Sequence, residues 1–343
     1  MHVALFPFSE YLWFYGGFTA LVLLLLAIDL GLFHREAHVV KFREAALWCV
    51  AWAAMAAVFC LGLYQYCGWK FSADPRLSAI PGWEPGKMAR QVMLEFLTGY
   101  IVELSLSVDN VFVFVLVFRY FRIPSQYQHR VLFYGILGAL VFRGIFIALG
   151  AALIQYRWVT IIFGLFLIFT GLKLAFSRDE KVEPEKNAVI RAFRKTFPVT
   201  PTLHGQDFWV KIGHVPHATP LMITVLFLEM TDIMFAIDSV PAIFAITREP
   251  LVVFTSNVFA ILGLRSMYFL LAEAVDKFFL LKYGLALVLV FVGLKMTWLN
   301  ELYGGKFPIG VSLTIIVLVI GASIGLSLLL KHLRPAERGA AAP

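Results

Sequence analysis

Long apolar runs alternate with polar segments along the whole chain of 343 residues. Nine of these runs contain the roughly 20 apolar residues that a membrane-spanning helix needs. They predict helices at Tyr11–Phe33, Ala45–Tyr66, Gln91–Phe118, Val131–Ile154, Trp158–Phe176, Pro220–Ile246, Leu251–Ala272, Phe279–Leu299 and Phe307–Leu330. The pattern therefore indicates an all-α polytopic membrane protein, with the lipid bilayer as its principal partner.

Composition and charge agree with this class of protein. Hydrophobic residues make up 60% of the chain and charged residues 15%, whereas soluble domains have about 45–50% and about 25%. If the N-terminus is outside, 18 of the 29 Lys and Arg residues fall in cytoplasmic segments and seven fall on the opposite side. The positive-inside rule then predicts a periplasmic N-terminus and a cytoplasmic C-terminus. The net charge of +7 thus reports topology, and nucleic-acid binding is not expected.

The third predicted helix carries polar residues at its centre. Glu103, Asp109 and Asn110 lie in the middle of the apolar stretch 93–117. A single charged side chain at such a depth costs about 2.5–3.5 kcal/mol on insertion scales, so these groups should be both compensated and used. The sixth predicted helix repeats the arrangement 129 residues downstream, with equivalents at Asp232, Asp238 and Ser239.

The helices that follow each motif are repeated as well. Arg143 corresponds to Arg265, and Lys173 corresponds to Lys295, with 30 residues between the Arg and the Lys in both copies. The sequence thus predicts a single membrane domain, 1–343, that contains repeat one (91–176), a cytoplasmic loop (177–219), repeat two (220–299) and flanking helices (11–66 and 307–330). Because each repeat has three helices, the two should cross the membrane in opposite directions, as in transporters with a midplane substrate site.

The polar side chains of the two motif helices form stripes. Glu103, Ser107 and Asn110 project within about 40° of one another on a helix of 3.6 residues per turn. The second motif helix offers a matching stripe of Glu229, Asp232 and Ser239. Carboxylate, hydroxyl and amide oxygens suit hard or borderline divalent cations such as Mn²⁺, Mg²⁺ and Ca²⁺, which makes these residues candidate metal ligands.

Asp109 and Asp238 project about 120° away from those stripes, and two explanations are open. Each Asp could pair with an arginine while the stripe binds the ion, or the helix could break, as Pro241 suggests for the second copy. We take Asp109 and Asp238 as candidate ligands too. The candidate counter-ions are Arg143, Arg265, Lys173 and Lys295. A purely structural alternative is that these acids and bases form fixed salt bridges that hold the helices together.

The charge balance and the motifs of the chain limit the possible mechanisms. The acids of the two repeats outnumber the bases, so proton uptake could balance the departure of a divalent cation, and protons are the expected coupling ion. Asp29, at the cytoplasmic end of the first helix, is a possible entry group. The chain has neither a Walker-type phosphate-binding motif nor the motifs of intramembrane aspartyl proteases, so we expect neither ATP drive nor an enzyme, and no cofactor. The oligomeric state stays open.

Two further groups of residues have competing interpretations. His204, His214 and His217 lie in the loop 177–219 and could load or sense metal, although a linker helix followed by a short hairpin explains the same segment. The three cysteines, Cys49, Cys60 and Cys67, lie in or beside one predicted helix and are expected to be buried as small apolar residues.

Several segments resemble the TerC family of integral membrane proteins, in particular its Alx-like branch. The segments are ELSLSVDNVFVF from Glu103, EMTDIMFAIDSVPAIFAI from Glu229, FHREAHVVKFREA after the first helix and DFWVKIGHVPHATPL before the sixth. The similarity extends from about Asp29 to Leu330. It implies a role in tellurium resistance or in the export of Mn²⁺ across a bacterial inner membrane. The alternative is a metal-sensing membrane subunit of a tellurite-stress or metal-stress complex that transports nothing itself.

Overall fold

The computed structural model describes residues 5–28, 40–176, 188–272, 278, 280–303 and 307–333. Within these ranges it does not describe the side chains of Asp109, Phe112, Asp238 and residues 331–333. The elements, in chain order, are α1 (Phe8–Ile28), α2 (Phe42–Ala73), α3 (Pro75–Ser78), α4 (Pro85–Tyr120), α5 (Ser125–Leu153), α6 (Arg157–Phe176), α7 (Ala188–Thr196), β1 (Trp209–Ile212), β2 (Val215–Ala218), α8 (Pro220–Phe244), α9 (Pro250–Leu271), α10 (Leu281–Leu294), a π-helical turn (Lys295–Leu299), α11 (Asn300–Leu302) and α12 (Ile309–Leu333).

The all-α polytopic class is confirmed. In the described part of the chain, nine helices are long and apolar enough to cross a membrane. The predicted boundaries were too short at several ends, since α2 continues to Ala73, α4 starts at Pro85 and α5 starts at Ser125. Proline at the first helical position explains the early start of α4, because a helix needs no backbone N–H there. The added turns of α5 (SQYQHR) are polar, so hydropathy alone could not find them.

The helices of the two repeats pack reciprocally. The first helix of each repeat packs on the second helix of the other, so that α4 contacts α9 and α5 contacts α8, and the two third helices, α6 and α10, pack on each other. This is the arrangement that a two-fold relation between three-helix units produces. Of these helices, α9 is buried along nearly its whole length, because α2, α4 and α5 surround it.

The contacts fix the relative directions of the equivalent helices. On α4 and α8, Asn110 contacts Asp232, whereas the earlier residue Gly99 faces the later residue Ile243. The order of contacts is therefore reversed, and the two helices run antiparallel. Inverted repeats require this antiparallel direction.

The helices α6 and α10 are also antiparallel, and they cross at a close backbone contact. A Cβ atom placed on Gly293 would lie 2.6 Å from the carbonyl oxygen of Gly164, and one placed on Gly171 would lie 2.8 Å from that of Ala286. Small residues allow this approach, as is common where membrane helices associate through van der Waals packing. The sequence shift that relates Lys173 to Lys295 also relates Gly171 to Gly293. It relates Gly164 to Ala286 as well. The two close contacts therefore join equivalent pairs of positions in the two repeats.

The flanking helices cover the repeats. Aromatic contacts tie α1 and α2 to α9, with Phe18 packing on Phe254 and Phe259, and Phe59 packing on Phe259. The predicted role of the cysteines is confirmed in general: Cys60 and Cys67 are buried and Cys49 is half-buried, all on α2, and none forms a disulfide. On the opposite side α12 packs on α10 and α4.

The segment between the repeats contains the predicted hairpin. Strands β1 and β2 pair antiparallel, and α7 precedes them. His204 and His214 are exposed, and the ring of His217 contacts the carbonyl of Val215. Among the described residues, no group of three or more His, Cys, Asp and Glu side chains is placed to hold a metal ion, and metal loading or sensing by these histidines stays a prediction.

The helix break at Pro241, one of the two open explanations for the direction of Asp238, is not present in the described backbone. Helix α8 continues through Pro241 to Phe244. Because this proline lies within the last turn, the amide-to-carbonyl bond that it removes is close to a helix end, where the helix loses little.

Candidate cation site between the repeats

The equivalent acids of the two repeats meet at the crossing of α4 and α8. Glu103, on α4, and Asp232, on α8, are 0% and 3% exposed, and both contact the same guanidinium, that of Arg143 on α5. The amide of Asn110 donates to Asp232 Oδ1 over 3.5 Å. Four residues that the sequence singled out are therefore gathered in one buried cluster.

Arg143 is the centre of this cluster. Its Nη2 and Nε atoms donate to the two carboxylate oxygens of Asp232 over 3.0 and 3.3 Å, and its Nη1 forms an ion pair with Glu103. The same Nη1 donates to Oδ1 of Asn257, on α9, over 3.3 Å. A two-point arginine–carboxylate contact is a strong, charge-assisted interaction, and at 2% exposure water hardly screens it. One basic side chain thus faces two acidic ones, so the formal charges of the trio sum to −1.

Several oxygens around the cluster are unsatisfied. Ser107 Oγ, Asn110 Oδ1 and Ser239 Oγ are buried and have no hydrogen-bond partner among the described side chains. Unpaired buried acceptors are costly and rare, so each needs an explanation such as an ion. Two carboxylates with neutral hydroxyl and amide oxygens form a donor set that suits a hard divalent cation.

Glu229 lies one turn from Asp232 but makes no ion pair among the described residues. A Cβ atom on Gly138 of α5 would lie only 2.1 Å from Glu229 Oε1, so this carboxylate occupies the space that the missing side chain leaves. Glu229 Oε2 is buried without a hydrogen-bond partner among the described side chains. The space left by Gly138 therefore accommodates the Glu229 side chain beside the cluster, and no ion pair among the described residues holds it there.

The other predicted counter-ions lie apart from Arg143. Arg265 is buried on α9 and shares with Asp232 the lining of a void of about 10 Å³, room for about one water molecule. Lys173 is exposed near the end of α6. Lys295 is buried at the π-helical turn and lines a different cavity. The two lysines lie on the third helices, away from the crossing of α4 and α8, and their roles as counter-ions stay predictions.

Three candidate residues lie outside the described parts. The backbone of Asp109 and Asp238 is helical, but their side chains are not described, and Asp29 is outside the described residues altogether. Their predicted roles as ligands and as an entry group stay predictions.

A cavity of about 820 Å³ opens at the end of the bundle where α4 begins and α8 ends. Glu95, two turns before Glu103 on α4, lies in its wall and accepts hydrogen bonds from Thr247 and Gln91 over 2.5 and 2.7 Å. The side chain of Lys295 also lines it. Eight residues of helix are about 12 Å long, so the cavity reaches to within about that distance of the cluster.

Sequence reasoning missed two contributors. Asn257 lies in a mostly apolar helix, although a run of three polar residues, Thr255, Ser256 and Asn257, is a detectable signal there. Gly138 could not be recognised, because its role is only to leave space for the Glu229 carboxylate.

Comparisons with known proteins agree with the architecture. No solved structure matches the chain. An uncharacterized membrane protein of Myxococcus xanthus is 49% identical over 328 residues, covering 95% of both chains. Alx of Escherichia coli (strain K12), described as a proposed membrane-bound redox modulator, is 40% identical over 327 residues, or 95% of this chain and 97% of its own. The model of the Integral membrane protein TerC family matches residues 88–334. The chain therefore belongs to the TerC family of multi-pass integral membrane proteins.

Proposed function

We propose that this protein is a secondary transporter that exports divalent cations, Mn²⁺ foremost, from the cytoplasm across the bacterial inner membrane. The observation that carries the proposal is the meeting of Glu103 and Asp232, equivalent acids from the two repeats, at a buried helix crossing. Carboxylates at such depth are expensive and are typically used for ion or proton movement. A site made by both halves can change its accessibility when the halves rock against each other.

The surroundings of the acids support a divalent cargo. The unsatisfied oxygens of Ser107, Asn110 and Ser239 provide neutral donors beside the charged ones. The cavity that ends near Glu95 supplies a route on one side, whereas apolar side chains such as Phe118, Leu228 and Tyr268 pack tightly on the other. Among the described residues, an open cavity on one side with tight packing on the other corresponds to one end state of an alternating-access transporter.

The main alternative is a membrane subunit that senses metal without transporting it. Reconstitution separates the two functions. Proteoliposomes that contain only this chain should take up Mn²⁺ when the ion is supplied on the face that corresponds to the cytoplasm, and empty vesicles should not. Saturable Mn²⁺ binding without flux would favour the sensing subunit.

We expect coupling to protons because the formal charge of the cluster is negative. When a divalent cation leaves the cluster, protons that bind to the acids can balance this charge. We expect a proton gradient directed into the cytoplasmic compartment to speed Mn²⁺ export at least several-fold. A protonophore should remove this acceleration. Export rates that are the same with and without the gradient would rule out proton exchange and leave transport itself intact.

The proposed orientation can be tested with single cysteines in a background where Cys49, Cys60 and Cys67 are replaced by Ser. The positive-inside bias places the hairpin in the cytoplasm and the turn after α2 in the periplasm. His214→Cys should therefore react with a membrane-impermeant maleimide only after lysis, whereas Ser78→Cys should react in intact spheroplasts. The opposite pattern would invert the topology, and labelling of both from one side would contradict the repeat arrangement.

A further inference from the structure

Arg143 occupies the position where a cargo ion would be expected. Its guanidinium contacts the carboxylates of Glu103 and Asp232, the two acids that the repeats place at equivalent positions. The unsatisfied Ser107, Asn110 and Ser239 oxygens lie on the same two helices as these acids. We propose that Arg143 is a tethered competitor of the cargo, which holds both acids until a divalent cation displaces it and which thereby excludes monovalent cations. This inference rests on the proposed function, because it concerns the same site.

The charges show why such a competitor selects for valence. Na⁺ or K⁺ brings the same single charge as the guanidinium but has no N–H groups, so it cannot replace the two hydrogen bonds that Arg143 donates to Asp232. The arginine is also attached to the site, so its effective concentration is high, in the millimolar range or above for short links. A monovalent ion therefore cannot compete, whereas a divalent ion brings twice the charge to the two carboxylates.

Asn257 can accept a hydrogen bond from Arg143 after the arginine has left the acids. Its Oδ1 already accepts a hydrogen bond from Arg143 Nη1 over 3.3 Å, and its Nδ2 has no partner among the described side chains. Asn257 is 0% exposed and belongs to α9, the helix that packs on both α4 and α5. A guanidinium that shifts toward this neutral acceptor keeps one hydrogen bond while it releases the acids.

The repeats make this role specific to one arginine. Position 135, the repeat-one equivalent of Asn257, is Gly135, which offers no side-chain acceptor. Arg143 and Arg265 are equivalent in sequence, yet Arg143 binds both equivalent acids. We therefore assign the exchange, in which the guanidinium leaves the two acids and keeps its hydrogen bond to Asn257, to Arg143 on α5 and Asn257 on α9.

The test compares wild type with Arg143→Gln, purified as full-length protein without metal. Thermal unfolding is measured in NaCl, KCl and choline chloride of equal ionic strength, and then with MgCl₂, CaCl₂ and MnCl₂. Wild type should unfold at the same temperature in Na⁺, K⁺ and choline. Arg143→Gln should be stabilised by Na⁺ and K⁺ over choline, and it should bind Mn²⁺ about tenfold more tightly or better, which is the factor that one charge-assisted contact represents.

Each outcome bears on the inference. A folded Arg143→Gln protein that ignores Na⁺ and K⁺, or that loses divalent binding, would overturn it and would make Arg143 a positioning residue for the acids. If both proteins bind cations as predicted but proteoliposomes show no Mn²⁺ flux, the competitor role stands and the proposed export fails. If Arg143→Gln does not fold, Asn257→Leu replaces it, because loss of the acceptor for the displaced guanidinium should weaken Mn²⁺ binding about tenfold, and unchanged Mn²⁺ binding would overturn the inference.

Discussion

Replacing Asp232 by Asn should lower Mn²⁺ flux at least about tenfold while the protein stays folded. The substitution removes one charged ligand, and a charge-assisted contact contributes roughly 1.5–3 kcal/mol. The fold should survive because Asn has a similar shape and because Arg143 keeps its contacts with Glu103 and Asn257. Flux into proteoliposomes, normalised to the amount of folded protein, measures the effect.

The control for this prediction is Glu229→Gln, which removes a carboxylate beside the cluster that makes no ion pair among the described residues. It should reduce flux less than Asp232→Asn or the equivalent Glu103→Gln. If the acids serve only as salt bridges, the pattern changes: Asp232→Asn and Glu103→Gln would lower the thermal stability, since removal of a buried partner costs about 3–5 kcal/mol, and the flux per folded molecule would be unchanged.

Replacing Gly293 by Leu should destabilise the protein by at least about 1–3 kcal/mol, the usual cost of overpacking. The new Cβ would lie 2.6 Å from the Gly164 carbonyl oxygen and 3.0 Å from the Ile168 amide nitrogen, so backbone atoms of α6 would have to move. The measurement is the unfolding midpoint in detergent. Gly321→Leu is the matched control, because no atom lies within 4 Å of a Cβ at that exposed position of α12, and it should leave the midpoint unchanged.

A Gly293→Leu protein as stable as Gly321→Leu would contradict the close crossing of α6 and α10. Destabilisation of both variants to the same degree would assign the effect to leucine in a membrane helix, and not to this crossing.

The sequence was sufficient for the class of fold and for the equivalence of Glu103 and Asp232 in the two copies of the motif. Hydrophobic runs determine membrane helices strongly, because the bilayer leaves few alternatives. The shift of 129 residues identified the two acids as equivalent positions, whereas their shared contact with Arg143 is visible only in the structure. Asn110 was found from helical periodicity, because it lies on the same stripe of the helix as Glu103.

The partner of each base could not be read from the sequence. Arg143 and Arg265 looked interchangeable, but the choice of partner depends on how α5 and α9 rotate against α4 and α8. The same limit applies to Lys173 and Lys295, which are equivalent in sequence yet exposed and buried respectively. Burial of a helix face is set by the neighbouring helices, here α12 beside α10, and periodicity within one helix does not contain that information.

Equilibrium binding of Mn²⁺ to the purified protein tests the central claim, that the acids at the α4–α8 crossing form a divalent-cation site. The comparison is wild type against a charge-free variant in which Glu103→Gln, Asp232→Asn and Arg143→Gln are combined, since replacing a buried ionic cluster as a whole is often neutral for stability. We predict saturable binding to wild type and loss of that binding in the folded variant. Equal binding by both proteins would contradict the account.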